Sequence, residues 1–140
     1  MSRSIALIAH DSRKEEMVSF AARHRLLLAA FHVIATGTTG ERVRLVTGLP
    51  VEKKLSGPMG GDAQIASEVV RGHVAAVIFF VDPLSPHPHE VDVRALIRIC
   101  NVHNVPLATN PATAEVLIKS FQTSSATRSS PMHQPVSRTA

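Results

Sequence analysis

The chain has 140 residues, 44% of them hydrophobic and 19% charged, with a formal net charge of +4 at pH 7, which gives one domain with a sizeable core and excludes a disordered chain. No apolar run approaches the roughly 20 residues that cross a bilayer, and the run at 5–9 is too short for a secretory signal, so neither membrane association nor export is expected. The basic residues are scattered and Trp and Tyr are absent, which argues against nucleic acid and for a small anionic ligand.

Short apolar runs alternate five times with helical patterns, which predicts an α/β domain built on a five-stranded, mainly parallel, doubly wound sheet with helices on both faces. The first strand, 5–9, leads through His10-Asp11-Ser12 into a helix reaching about His24, with Met17, Phe20 and Ala21 at helical spacing. The second, 31–35, ends at Thr36-Gly37-Thr38-Thr39-Gly40, and the next helix turns Val43 and Val46 inward before Gly48 stops it. The third, 51–55, is the least apolar and belongs at an edge. It runs into Leu55-Ser56-Gly57-Pro58-Met59-Gly60-Gly61-Asp62 and a helix over 62–71, whose stripe is Ile65, Ala66, Val69 and Val70 and whose stop is Gly72.

Residues 74–81 form the most hydrophobic run, a central strand buried on both faces and ended by Asp82-Pro83. A helix over 90–101 follows the loop 84–89. A fifth strand, 106–109, and a last helix ending near Phe121 complete a domain at 1–121, and 122–140 reads as a flexible Ser/Thr/Pro-rich tail. The sole cysteine, Cys100, lies in an apolar pattern; it permits no internal disulfide and fits a reducing cytoplasm.

Every apolar run is followed at once by small, polar or ionisable residues, and in open parallel sheets ligands bind outside the carboxyl ends of the strands. Thr36-Gly37-Thr38-Thr39-Gly40 offers three hydroxyls and the N–H groups of a helix start, a natural seat for phosphate, yet it is neither a nucleotide P-loop nor a dinucleotide turn. Around 57–61 the glycines let the backbone approach a ligand, Ser56 adds a hydroxyl, and Asp62 stands at a helix start as either a cap or an acid–base group. Lys14 is placed to add a counter-charge.

Asp11, Asp62, Asp82 and Asp92 all fall at strand ends or helix starts, in company with His10 and His89. Clustered carboxylates near a phosphate raise one another's pKa, which poises one of them for proton transfer near neutral pH. His87 and His89 raise the question of a metal, but the neighbouring prolines predict an extended loop with diverging side chains, and no metal is expected. No Gly-x-Ser-x-Gly elbow of a serine hydrolase occurs.

Six segments together resemble the methylglyoxal synthase family. They are Ala9-His10-Asp11 with Lys14, Ala35-Thr36-Gly37-Thr38-Thr39-Gly40, Leu55-Ser56-Gly57-Pro58-Met59-Gly60-Gly61-Asp62, Phe79-Phe80-Val81-Asp82-Pro83-Leu84, Pro88-His89-Glu90-Val91-Asp92-Val93 and Pro106-Leu107-Ala108-Thr109-Asn110. The resemblance implies a three-layer α/β/α domain, a homohexamer, and conversion of dihydroxyacetone phosphate to methylglyoxal and inorganic phosphate without metal or organic cofactor. It implies that Asp62 is the base, that His10 and His89 contact substrate oxygens, and that Lys14, Thr36, Gly37, Thr38, Thr39, Ser56 and Gly57 hold the phosphate. Asp11, Asp82 and Asp92 match the remaining acidic positions of the site.

An enediolate needs preorganised donors, and phosphate elimination needs its carbon–oxygen bond held across the enediolate plane, so a cradle of hydroxyls and amides serves catalysis as well as binding. The same fold serves as a regulatory domain in carbamoyl phosphate synthetase; an effector-binding module would use the cradle but not Asp62 with His89. The polar tail departs from longer family members, which continue with ordered structure.

Overall fold

Alternation along the first strand divides the core into two halves. In the computed structural model, which describes residues 3–129, β1 (Ser4–Ala9) is buried along its whole length. Ile5, Leu7 and Ala9 point to one face, where they meet Met17, Phe20, Val43 and Ile118. Ala6 and Ile8 point to the other and meet Ile65, Val69, Val93, Leu96 and Cys100. A strand buried on both faces belongs inside a parallel sheet covered by helices, and this is where it lies.

The sheet has the order β3-β2-β1-β4-β5, with β2 (His32–Ala35), β3 (Val51–Lys53), β4 (Val74–Phe80) and β5 (Leu107–Ala108). Every described pair is parallel, so the expected mainly parallel sheet is wholly so among the described residues. β3 is at an edge, as its weak hydrophobicity predicts. The centre is β1; β4 is buried throughout but lies one place off centre, between β1 and β5.

Helices α1 (Lys14–Arg23), α2 (Arg25–Leu28), α3 (Gly37–Thr47) and α6 (Pro111–Ser129) belong to the first core face. Helices α4 (Gly61–Val70) and α5 (Glu90–Val102) cover the second. The result is a three-layer α/β/α domain. Two 3-10 turns, Asp11–Arg13 and Gly57–Met59, precede α1 and α4.

Some elements differ from expectation. α2 is an extra turn, held by the N–H groups of Leu28 and Ala29 donating to the carbonyls of His24 and Arg25. On α3, Val43 is fully buried but Val46 is exposed, because the helix lies over the edge of the sheet and only one stripe finds a partner. Val70 is likewise half exposed at the end of α4. Gly48 does close α3 in the left-handed conformation, with φ 75°. Backbone helix continues to Ser129, past the expected end near Phe121; the rest of the expected tail, 130–140, lies outside the described residues.

The chain runs from β1 through β2 to β3 in one direction, then returns to place β4 on the other side of β1. The carboxyl ends of β1 and β4 therefore flank a topological switch point, where a crevice opens. His10 follows β1 and Asp82 follows β4 by two residues, and the register Ala9↔Phe80 sets these continuations side by side.

Candidate active site

A cavity of about 590 Å³ opens at this switch point. Its wall takes residues from four strand ends: His10, Asp11, Ser12 and Lys14 after β1, Thr36, Thr38 and Thr39 after β2, Ser56, Gly57 and Asp62 after β3, and Asp82, Ser85, His87 and His89 after β4. Gly37 and Asp92, both expected in the site, do not line it. Gly37 instead packs beneath the floor: a Cβ there would lie 3.3 Å from the Lys54 carbonyl oxygen and the Ser56 nitrogen, and its N–H donates to the Leu55 carbonyl at 3.2 Å. Its smallness lets the β2 and β3 ends meet. Asp92 is half-buried in the first turn of α5, close enough that its charge raises the pKa of Asp62.

Asp62 is no helix cap. Gly60 takes the cap position of α4 at φ 107°, and the Asp62 side chain makes no capping hydrogen bond. The loop before it is shaped by Gly61, where a Cβ would fall 1.9 Å from the Leu55 carbonyl oxygen, and by Gln64, whose Oε1 accepts the Leu55 N–H at 2.7 Å. This folding carries Asp62 inward until it is 0% exposed. Neither carboxylate oxygen has a hydrogen-bond partner; His89 Nε2 lies 3.5 Å from Oδ2. Burial pushes its pKa up, with His89 opposing and Asp92 adding to the shift.

His10 is held in one tautomer. Its Nδ1 accepts the backbone N–H of Asp82 at 2.9 Å, so the neutral ring carries its proton on Nε2, a buried donor with no partner in the protein. Burial first, then His87 and His89, lowers its pKa to about 4, which keeps the ring neutral at physiological pH. His89 caps α5 by position, and its ring is nearly buried with Nδ1 unpartnered.

Among the described residues, the buried side-chain polar atoms without partners are His10 Nε2, Thr39 Oγ1, both oxygens of Asp62 and His89 Nδ1. All line the cavity. A core does not leave donors and acceptors unpaired by accident, since each costs about 1–3 kcal/mol. Grouped around one space, they offer donors and acceptors suited to a polar ligand. The N–H groups of Thr38 and Thr39 precede the first intrahelical bond of α3, Gly40 N–H to the Thr36 carbonyl, and offer the helix's positive end to an anion.

The other acidic residues have different duties. The Asp82 carboxylate accepts the Ser12 hydroxyl at 2.8 Å and the Leu84 N–H at 3.0 Å, which hold its pKa low and pin the loop after β4. Asp11 is fully exposed and pairs with Lys14 at 2.5 Å, a contact that lowers its pKa. The Lys14 ammonium, mostly buried, also donates to the Ala9 carbonyl at 3.3 Å and so stays at the cavity wall.

His87 and His89 do not diverge as an extended loop would require. Both rings face the cavity, 5.8 Å apart, because a turn closed by Glu90 N–H to the His87 carbonyl curls the loop over His10. Sequence reading passed over His87, Ser12 and Ser85 as lining groups; their position just past the ends of β1 and β4 was the available signal. Among the described residues, no three His, Cys, Asp or Glu side chains are grouped to hold a metal ion.

These features define a class: a parallel α/β domain with a polar cavity at its switch point, lined by a buried, unpaired carboxylate and by His10, His87 and His89. The family model described as an MGS-like domain matches residues 16–109. A methylglyoxal synthase from Borrelia garinii subsp. bavariensis is 57% identical over 122 residues, covering 87% of this chain and 97% of that protein. One from Thermus thermophilus is 58% identical over 116 residues, covering 83% and 92%. The crystal structure of methylglyoxal synthase from Elizabethkingia anophelis superposes with a TM-score of 0.78 at 41% identity, covering 84% of this chain and 77% of that one. The chain belongs to the methylglyoxal synthase family.

Proposed function

We propose that this protein is a carbon–oxygen lyase that converts dihydroxyacetone phosphate to methylglyoxal and inorganic phosphate. The observation that carries the reading is the buried carboxylate of Asp62, unpaired and facing a cavity whose other orphan atoms are donors suited to an enediolate and a phosphate. Asp62 takes a proton from the hydroxymethyl carbon of the substrate, and the electron pair moves into the carbonyl, giving an enediolate. His10 Nε2–H and the His89 ring stabilise its oxygens. The hydroxyl proton of the enediolate passes to its former carbonyl oxygen, and the terminal oxygen's pair forms the aldehyde and drives phosphate from the far carbon. The enol left behind takes the proton from Asp62 at its methylene carbon and gives its hydroxyl proton to the departing phosphate, becoming methylglyoxal.

Each group is suited to its task. A carboxylate whose pKa is raised by burial is a stronger base than one in water. A neutral His10 donates without itself becoming an acid that would quench Asp62. Thr36, Thr38, Thr39 and Ser56, with Lys14, Gly57 and the N-terminus of α3, hold the leaving phosphate and fix its torsion. Asp82 and Asp11 act at one remove, by shaping the walls through Ser12, Leu84 and Lys14. An effector-binding module has no use for the desolvated Asp62, whose burial costs stability.

The assembly we propose is a homohexamer, supported by the exposed Leu26, Leu45, Leu84, Val91 and Val116. The place of work we propose is the cytoplasm; no described helix is long and apolar enough to cross a membrane, and the lone cysteine is buried. The functional test is a coupled assay of the purified chain with dihydroxyacetone phosphate. Methylglyoxal and phosphate appear in equal amounts if the reading is right; release of neither overturns it.

A further inference from the structure

Resting on that reading of the reaction, we propose that His87 is a positioning residue, whose imidazole stacks on His10 and fixes the direction in which His10 presents its Nε2–H. The two rings lie 3.7 Å apart, centroid to centroid, and 18° from parallel. Both are anchored to the backbone of one residue. Asp82 N–H donates to His10 Nδ1 at 2.9 Å, while His87 Nε2 donates to the Asp82 carbonyl at 3.3 Å. The loop that carries His87 is closed in turn by Glu90 N–H on the His87 carbonyl.

The hydrogen bond at Nδ1 fixes one atom of His10 but leaves the ring free to swing about it. Phe79 meets the ring at 70°, with centroids 5.1 Å apart, and His89 meets it at 78° and 5.7 Å, so both are T-shaped contacts and neither lies flat against the His10 ring. His87 supplies the flat contact that stops the swing and shields that face from water. The unpartnered Nε2–H is thereby aimed before substrate arrives, a form of preorganisation in which the cost of orientation is met by folding. His87 need not touch the substrate for this. A ring of similar shape without nitrogens should do the same work.

The test compares His87→Ala with His87→Phe by kcat, KM and the ring ¹⁵N signals of His10 in the full chain. In His87→Ala we expect kcat to fall about tenfold or more while KM changes less than about threefold, with His87→Phe restored to within about threefold of the parent. The His10 ring ¹⁵N signals should move from their parent positions in His87→Ala, as the ring loses its single orientation about the Nδ1 hydrogen bond, and hold their parent positions in His87→Phe. A kcat for His87→Ala within about twofold of the parent, or a Phe variant as impaired as the Ala variant, overturns the proposal. If the parent protein makes no methylglyoxal, the reaction reading fails, and the ¹⁵N signals still decide the stacking: unaltered His10 signals in His87→Ala would refute it.

Discussion

Gly57→Ala adds one methyl group between the two residues on which the mechanism turns. Gly57 is not among the positive-φ glycines, Gly48, Gly60 and Gly72, so alanine brings no backbone strain. The new Cβ would stand 2.8 Å from His89 Nε2, 3.2 Å from its Cδ2 and 3.5 Å from Asp62 Oδ1. Ordinary contact begins near 3.4 Å, so the imidazole must retreat by about 0.6 Å. Displacements of this order at reacting groups reduce rates by up to about 100-fold, or about 2.7 kcal/mol of barrier.

We expect kcat for Gly57→Ala to fall about 10- to 100-fold in a phosphate-release assay, with the thermal midpoint almost unmoved. Gly61→Ala is the contrasting variant. Its Cβ would lie 1.9 Å from the Leu55 carbonyl oxygen, a backbone atom that cannot yield, so stability should fall together with activity. A kcat for Gly57→Ala within about threefold of the parent would show that the spacing of His89 and Asp62 is not what the rate depends on.

Thr39→Val removes a buried hydroxyl that has no partner within the protein, so it should leave stability intact or raise it. Loss of that phosphate contact should raise KM about tenfold, and an unchanged KM would remove Thr39 from the cradle. His10 gives an acid-sensitive fold. Its folded pKa of about 4 lies below the usual 6.5, so between these values the unfolded chain takes up the proton first and stability falls as pH falls. The full effect of the shift is about 3 kcal/mol, and urea titrations of His10→Gln should show a shallower loss over that window. Equal slopes in parent and variant would contradict the buried neutral imidazole.

The strand ends were legible because apolar runs of four to eight residues with small or polar residues behind them leave little choice of fold. Thr36, Ser56, Asp62 and His89 reached one cavity by that logic alone. The separate duties of the aspartates were not legible. Asp11, Asp62 and Asp82 share the same local signature, an acid just past a strand or turn, and only packing distinguishes them: Asp62 is buried on a loop that Gly61 lets fold against the Leu55 carbonyl, while Asp82 is engaged by Ser12 seventy residues away. His87 was hidden for a related reason. Prolines at 83, 86 and 88 predict an extended loop, and the hydrogen bond from Asp82 to His10 that anchors its start joins residues 72 apart. The exposure of Val46 likewise depends on α3 lying at the sheet edge, which periodicity along one helix does not encode.

The central claim is that Asp62 removes the proton that starts phosphate elimination, and Asp62→Asn tests it most directly. Parent and variant are incubated with dihydroxyacetone phosphate while methylglyoxal and phosphate are measured together, and inorganic phosphate binding is followed by calorimetry. The account predicts loss of turnover by about 10³-fold or more with phosphate affinity largely retained, and a thermal midpoint no lower than the parent's, since a buried charge raised in pKa by desolvation is gone. Near-normal release of both products by Asp62→Asn would contradict it.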